Sequence, residues 1–198
     1  MKKISIFLIS SFFFFQTSLL AYSSDPKDFV KELVNEAIEK LSNKNIDDNE
    51  KIKFIEQVAL DNVDINALGL YTLGELRKSS NKQVVIKYQV AFEKYFLKSL
   101  SSRLSSYSSS TFNVLGADKK SSNYTIVNSK VTPEDGGPEI KIDWRIYTKN
   151  SDKPLIRDLI VEGLSLARTQ KEEFASILNS NNNDINILIK KLDEFIQN

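Results

Sequence analysis

Ile140-Lys141-Ile142-Asp143-Trp144-Arg145-Ile146-Tyr147 alternates large apolar residues with polar ones. A period of two places Ile140, Ile142, Trp144 and Ile146 on one face of a strand, with Lys141, Asp143, Arg145 and Tyr147 on the other. A turn cluster at 132–138, Thr-Pro-Glu-Asp-Gly-Gly-Pro, precedes it, and a polar turn at 150–153 follows. Beyond that turn, residues 156–161 form another strand, apolar on much of both faces. Upstream, Phe112 and Val114 alternate, and Tyr124, Ile126 and Val131 lie in a β-branched stretch. Strands that follow one another through short turns predict an antiparallel meander.

Helical patterns flank these strands. Phe29, Leu33, Ala37 and Leu41, with Val30, Val34 and Ile38 beside them, recur at helical spacing behind an Asp25-Pro26 start. After a polar break at 43–49 comes a short helix with Ile52, Ile55, Val58 and Ala59 inward. Another covers 64–77, with Ile65, Leu68, Tyr71, Leu73 and Leu76 apolar. The longest begins near Ser80 and keeps its period through Val84, Val85, Tyr88, Ala91, Phe92, Tyr95, Phe96, Leu100 and Leu104. Phe174, Ile177 and Leu178 mark a further helix. The break at 181–184 caps a last one carrying Ile185, Leu188, Ile189, Leu192, Phe195 and Ile196. Helices, then strands, then helices predict an α+β domain, with N- and C-terminal helices packed on one face of a curved antiparallel sheet.

The first residues read differently. Met1-Lys2-Lys3 is basic, residues 4–15 are apolar but for Ser5, Ser10 and Ser11, and small residues surround Ala21 and Ser23. That order predicts a secretory signal peptide over 1–23, cleaved after Ala21 or Ser23. An uncut anchor is the alternative, but the apolar run falls short of the roughly 20 residues of a full span. Residues 24–198 then form one exported domain.

Of 198 residues, 27 are Lys or Arg and 26 Asp or Glu, a formal charge of +1 that becomes −1 without Lys2 and Lys3. Nucleic-acid binding, which needs a basic excess, is not expected. With no His and no Cys, the chain can build neither a Ser-His-Asp nor a Cys-His nucleophile system, and it lacks the usual zinc ligands. No metal, cofactor or catalytic residue is assigned.

Three segments resemble the MlaC, or toluene-tolerance auxiliary, family. One runs from Val63-Asp64-Ile65 to Leu73-Gly74-Glu75-Leu76-Arg77. The second is the long helix with Phe92, Tyr95 and Leu100, followed by Tyr107. The third joins Ile142-Asp143-Trp144-Arg145 to Asp158-Leu159-Ile160-Val161-Glu162-Gly163-Leu164-Ser165-Leu166 and Phe174-Ala175-Ser176-Ile177-Leu178. The chain departs from the family pattern at Leu76, at 154–158 and at Asn181-Asn182-Asn183. The resemblance implies a non-enzymatic, periplasmic phospholipid carrier. Its cargo would move between an outer-membrane lipoprotein–porin complex and an inner-membrane ABC transporter complex of the Mla type, maintaining outer-membrane lipid asymmetry. Direction is left open.

A carrier requires an apolar pocket. From the long helix Tyr88, Phe92, Tyr95, Phe96 and Leu100 are candidate lipid-binding residues. From the strands the candidates are Tyr124, Ile126, Ile140, Ile142, Trp144, Ile146, Leu159 and Val161. The same residues would equally suit a filled core. Asp143 and Asp158 read as ion-pair partners of Arg145 or Arg157, or as acid–base candidates. Ser165 has no His to activate it. Arg145, Arg157, Arg168 and Lys171 read as solvated charge, or as contacts to a partner or phosphate. The serine-rich 101–110 stretch is a solvated helix end or a hydroxyl-lined entrance. Two other classes remain open: a small-molecule enzyme or binding protein on a cone-shaped fold like nuclear transport factor 2, with Asp143 beside Tyr124 or Tyr147, and an adaptor with a solid core.

Overall fold

The computed structural model describes residues 22–104, 110–134, 136–150 and 152–197. Residues 1–21, most of the signal peptide expected over 1–23, and Tyr107 lie outside them. Five helices come first: α1 (Pro26–Ser42), α2 (Asp48–Asn62), α3 (Ile65–Thr72), α4 (Leu76–Ser79) and α5 (Lys82–Leu104). Strands β1 (Ser110–Lys119), β2 (Tyr124–Pro133), β3 (Ile140–Tyr147), β4 (Leu155–Val161) and β5 (Leu164–Ser165) follow, then α6 (Leu166–Asn179) and α7 (Ile185–Gln197). None of the described helices is long and apolar enough to cross a membrane.

Short polar side chains set the helix starts. Asp25 accepts from the backbone N–H of Lys27 and Asp28 at 2.9 and 3.1 Å, and Pro26 sits in the first turn of α1. Asp47, Asp64 and Ser165 cap α2, α3 and α6 in the same way. Each supplies an acceptor to an N–H that the helix itself cannot satisfy. The single helix expected over 64–77 is interrupted at Gly74, whose φ of +62° favours glycine. Asn182 and Asn183, at φ +53° and +59°, make the break before α7.

The sheet is an antiparallel meander in the order β1-β2-β3-β4-β5, as the alternation implied. Two register shifts bend it, one between Val114 and Gly116 and one between Arg145 and Ile146. At the second, Arg145 faces Asp158 while Ile146 faces Ile156, so Arg157 is the extra residue of a β-bulge. The two-residue strand β5, not anticipated, returns from β4 through Glu162 and Gly163, both at positive φ. Two adjacent left-handed residues are what a tight hairpin requires.

The apolar residues form two clusters. Phe29, Val30 and Leu33 of α1 pack on Val127, Trp144, Ile146 and Ile156 of the sheet. Tyr88 and Phe92 of α5 pack with Phe174 and Leu178 of α6 and with Leu188 and Leu192 of α7. Helix α5 finds its main neighbours in α7, α2 and α3 rather than on the sheet.

Tyr88 is fully buried, and its hydroxyl lies 2.7 Å from Thr72 Oγ1. Burial holds its phenol above the ordinary tyrosine value, outweighing the opposing effect of the Thr72 hydrogen bond. Above about pH 10 the unfolded chain releases this proton while the folded chain keeps it, so stability falls as pH rises. Below that pH the contribution is fully present. Tyr88→Phe is therefore expected to flatten part of the alkaline decline in thermal midpoint. It should also cost about 1 kcal/mol at neutral pH through the lost hydrogen bond. An unchanged alkaline slope in melts from pH 8 to 11 would contradict this.

Candidate functional site

Between the two clusters the chain leaves a hollow of about 530 Å³, within the usual ~300–1,000 Å³ of ligand pockets. The sheet wall consists of Phe112, Val131, Ile142, Trp144, Ile156 and Leu159. Phe92, Tyr95, Phe96 and Leu100 of α5 form the opposite wall. The remaining sides come from α1, with Leu33, Val34, Ala37, Ile38 and Leu41, and from α2, with Phe54, Ile55, Val58 and Ala59. Val34, Ala37, Ile38, Phe54 and Phe96 point inward yet stay half-exposed, because they face space rather than side chains.

Trp144 forms part of this wall in a fixed orientation. Its Nε1–H donates to Ser129 Oγ at 2.9 Å, and that hydroxyl donates to the Ile142 carbonyl at 2.8 Å. Both polar groups are thereby satisfied away from water. Asn62 and Thr72 are also paired within the protein, to the carbonyls of Val58 and Gly69. Asp158, 3% exposed, accepts from Ser165 Oγ at 2.7 Å and from the Ala167 N–H at 3.0 Å, and Arg145 lies 3.6 Å away. Its carboxylate therefore fixes the start of α6. The interior wall is consequently apolar in effect, since its polar atoms are already engaged.

Polar character returns at the opening. There the end of α5 brings Ser99 and Arg103 opposite Thr169, Gln170 and Glu173 of α6. Arg103 is exposed and is the one cation among the described lining residues. Tyr95 donates to Gln170 Oε1 at 3.0 Å. Burial, reinforced by Glu173, raises its phenol above the ordinary value, so it remains a neutral hydroxyl at physiological pH.

Of the sequence candidates, Phe92, Tyr95, Phe96, Leu100, Ile142, Trp144 and Leu159 line the hollow. Tyr88 and Ile146 lie in the two cores, at 0% exposure. Tyr124 and Ile126 stand on the opposite sheet face, in register with Tyr147 and Arg145. Ile140 and Val161 share the inner face with Ile142 but stand outside the lining set, and both are half-buried. Asp143 accepts from Asn128 Nδ2 at 2.8 Å on the outer face and does not reach the hollow. The contribution of α1 and α2 went unrecognised in the sequence. Its signal was the width of the α1 apolar face, where Val34 and Ile38 extend a stripe already complete with Leu33, Ala37 and Leu41.

A bent antiparallel sheet roofed by helices around an apolar hollow is the architecture of a binding protein for an apolar ligand. The chain belongs to the MlaC protein family, whose model matches residues 31–194. Among solved structures it is similar to the phospholipid-binding protein of Ralstonia solanacearum, determined in complex with a phospholipid. The two share 16% identity at a TM-score of 0.72, over 86% of this chain and 96% of the other.

Gly69 on α3 faces the site from behind. A methyl group there would stand 2.9 Å from Phe92 Cδ1, too close unless the ring moves into the hollow. Alanine gains about 1 kcal/mol in helix propensity, against roughly 1–3 kcal/mol for overpacking. Gly69→Ala should therefore change stability by no more than about 2 kcal/mol while reducing affinity for an apolar fluorophore several-fold. Wild-type fluorophore binding in titrations would show that Phe92 yields elsewhere.

Proposed function

We propose that this chain is a phospholipid carrier of the periplasm. Its acyl tails occupy the hollow and its head group stays at the mouth, beside Arg103, Tyr95 and Gln170. On this reading it exchanges cargo with an outer-membrane lipoprotein–porin complex and with an inner-membrane ABC transporter complex of the Mla type. It catalyses no reaction.

The size and apolar lining of the hollow carry the proposal. At ~24 cal/mol per Å³, an empty cavity of 530 Å³ would cost on the order of 13 kcal/mol. A whole domain is typically stable by about 5–15 kcal/mol. Water entering through the mouth reduces that cost, but the apolar walls give it few partners. Occupancy by acyl chains removes it. The ligand gains as well, since about thirty methylenes at ~0.8 kcal/mol each make a free two-tailed lipid costlier in water by about 20 kcal/mol. Few polar contacts inside suit a carrier, which must release what it takes up. Membership of the MlaC family and likeness to a fold solved with a phospholipid point the same way. An acid–base role for Asp143 finds no support, because its carboxylate is engaged with Asn128 outside the hollow.

Given export, the contacts at Tyr22 and Ser23 favour a cut after Ala21 over one after Ser23. The Tyr22 hydroxyl bonds to Glu36, its ring packs edge-on against Phe29, and the Ser23 N–H donates to Glu32 at 2.8 Å. Cutting after Ser23 would remove a packed residue.

Protein purified from the periplasm, extracted with organic solvent and weighed by mass spectrometry tests the whole reading. Its polypeptide mass should begin at Tyr22, and the extract should hold phospholipid near one per chain. Ala37→Trp, which fills the hollow from α1, should fold yet carry at least several-fold less lipid. A lipid-free wild-type protein that takes up no labelled phospholipid from vesicles overturns the carrier.

A further inference from the structure

A second cavity of about 330 Å³ lies on the other side of Leu68 and Ala167, which line both spaces. Its lining is mixed, with Ala67, Leu68, Leu70 and Ala167 on one part and basic side chains on the other. Arg77, Arg145 and Arg157 line it, together with Tyr71 and Tyr124. The ammonium of Lys171 sits 5.1 Å over the Tyr71 ring. Asp64, Asp158 and Glu75 stand within 4.0 Å of the three arginines, so with Lys171 the four cations exceed the carboxylates by one, a surplus that favours an added anion.

The carboxylates nearby are already committed. Asp64 is held by Arg157, whose Nε donates at 2.8 Å and Nη2 lies at 2.6 Å. Asp158 serves Ser165 and Ala167, leaving Arg145 at 3.6 Å with no hydrogen bond of its own among the described residues. Glu75 is largely exposed and bonds Lys78 at 3.1 Å, with Arg77 a distant 4.0 Å away.

The guanidiniums are held in place without being used up. Arg77 Nη1 donates to the Gly74 carbonyl at 2.8 Å, a position set by the left-handed turn. Arg157 donates to the Tyr124 hydroxyl at 2.7 Å and stacks 3.5 Å from the Tyr147 ring centroid. Arg157, ion-paired with Asp64, is therefore a fixed wall, while Arg77 and Arg145 keep N–H donors for a ligand. Pre-positioned planar forks suit phosphoryl oxygens better than a mobile ammonium does.

We propose that this cavity is an anion site, distinct from the lipid hollow, that takes a phosphoryl group between Arg77 and Arg145. That group can come from inorganic phosphate or from the head group of a phospholipid in a membrane surface, not from the lipid whose tails fill the hollow. The site does not require that the hollow carry lipid.

Inorganic phosphate titrated into the mature protein, followed by calorimetry and phosphorus NMR, provides the test. Saturable one-to-one binding is expected, weakened roughly tenfold or more by Arg77→Gln or Arg145→Gln and lost in the double variant. Arg168→Gln should leave it unchanged, because Arg168 pairs with Glu172 at 3.3 Å away from the cavity. Lipid content should be unaffected in all of them if free phosphate is the ligand. If a head group is the ligand, it belongs to a lipid other than the one in the hollow, so phosphatidylglycerol vesicles should compete with inorganic phosphate for the protein and vesicle binding should weaken in the double variant. Absence of saturable binding in both settings, or equal weakening by Arg168→Gln, overturns the proposal.

Discussion

Phe29 and Val30 of α1, buried against Val127 and Ile146, tie the first helix to the sheet, and everything else in the molecule is arranged around that contact. On the far side α5 is drawn not towards the sheet but towards α6 and α7, through Tyr88, Phe92 and Phe174. Two cores thus pull the walls in different directions. A single merged core would bury more surface and close the gap. Keeping them apart forgoes that stabilisation and leaves apolar faces for something other than the chain itself.

Polar groups are distributed in keeping with that division. Inside, Ser129, Asn62, Thr72 and Asp158 are each bonded to the backbone, so none demands a partner from a ligand. Unspent polarity is moved outward, to the mouth with Arg103 and to the arginine-lined cavity behind Leu68. A tail region that grips by shape and area alone is tolerant of chain length, whereas charge at the edges can discriminate head groups or phosphate.

The meander was legible because Ile140 to Tyr147 alternates without interruption, and the start of α1 was legible because Asp25 is a short acceptor ahead of Pro26 and an apolar run. The family was legible in the ordered set of segments, which the match over 31–194 bears out. The break at Gly74 was not, since the apolar period of Leu73 and Leu76 continues across it while the backbone turns left-handed. Periodicity also cannot separate residues that face a core from residues that face a void. Tyr88 and Phe92 stand one turn apart on the same stripe, yet the first is sealed in a core and the second opens on the hollow. The arginine cavity was invisible for a different reason. Arg77 and Arg145 are far apart in sequence and meet only through the fold.

Crystallographic density for the mature protein isolated from its own cells tests the central claim most directly. The account predicts elongated, continuous density between Trp144 and Phe96, running out past Arg103. Side chains of α1, α5 and the sheet found in mutual contact, with no space between them, would contradict it.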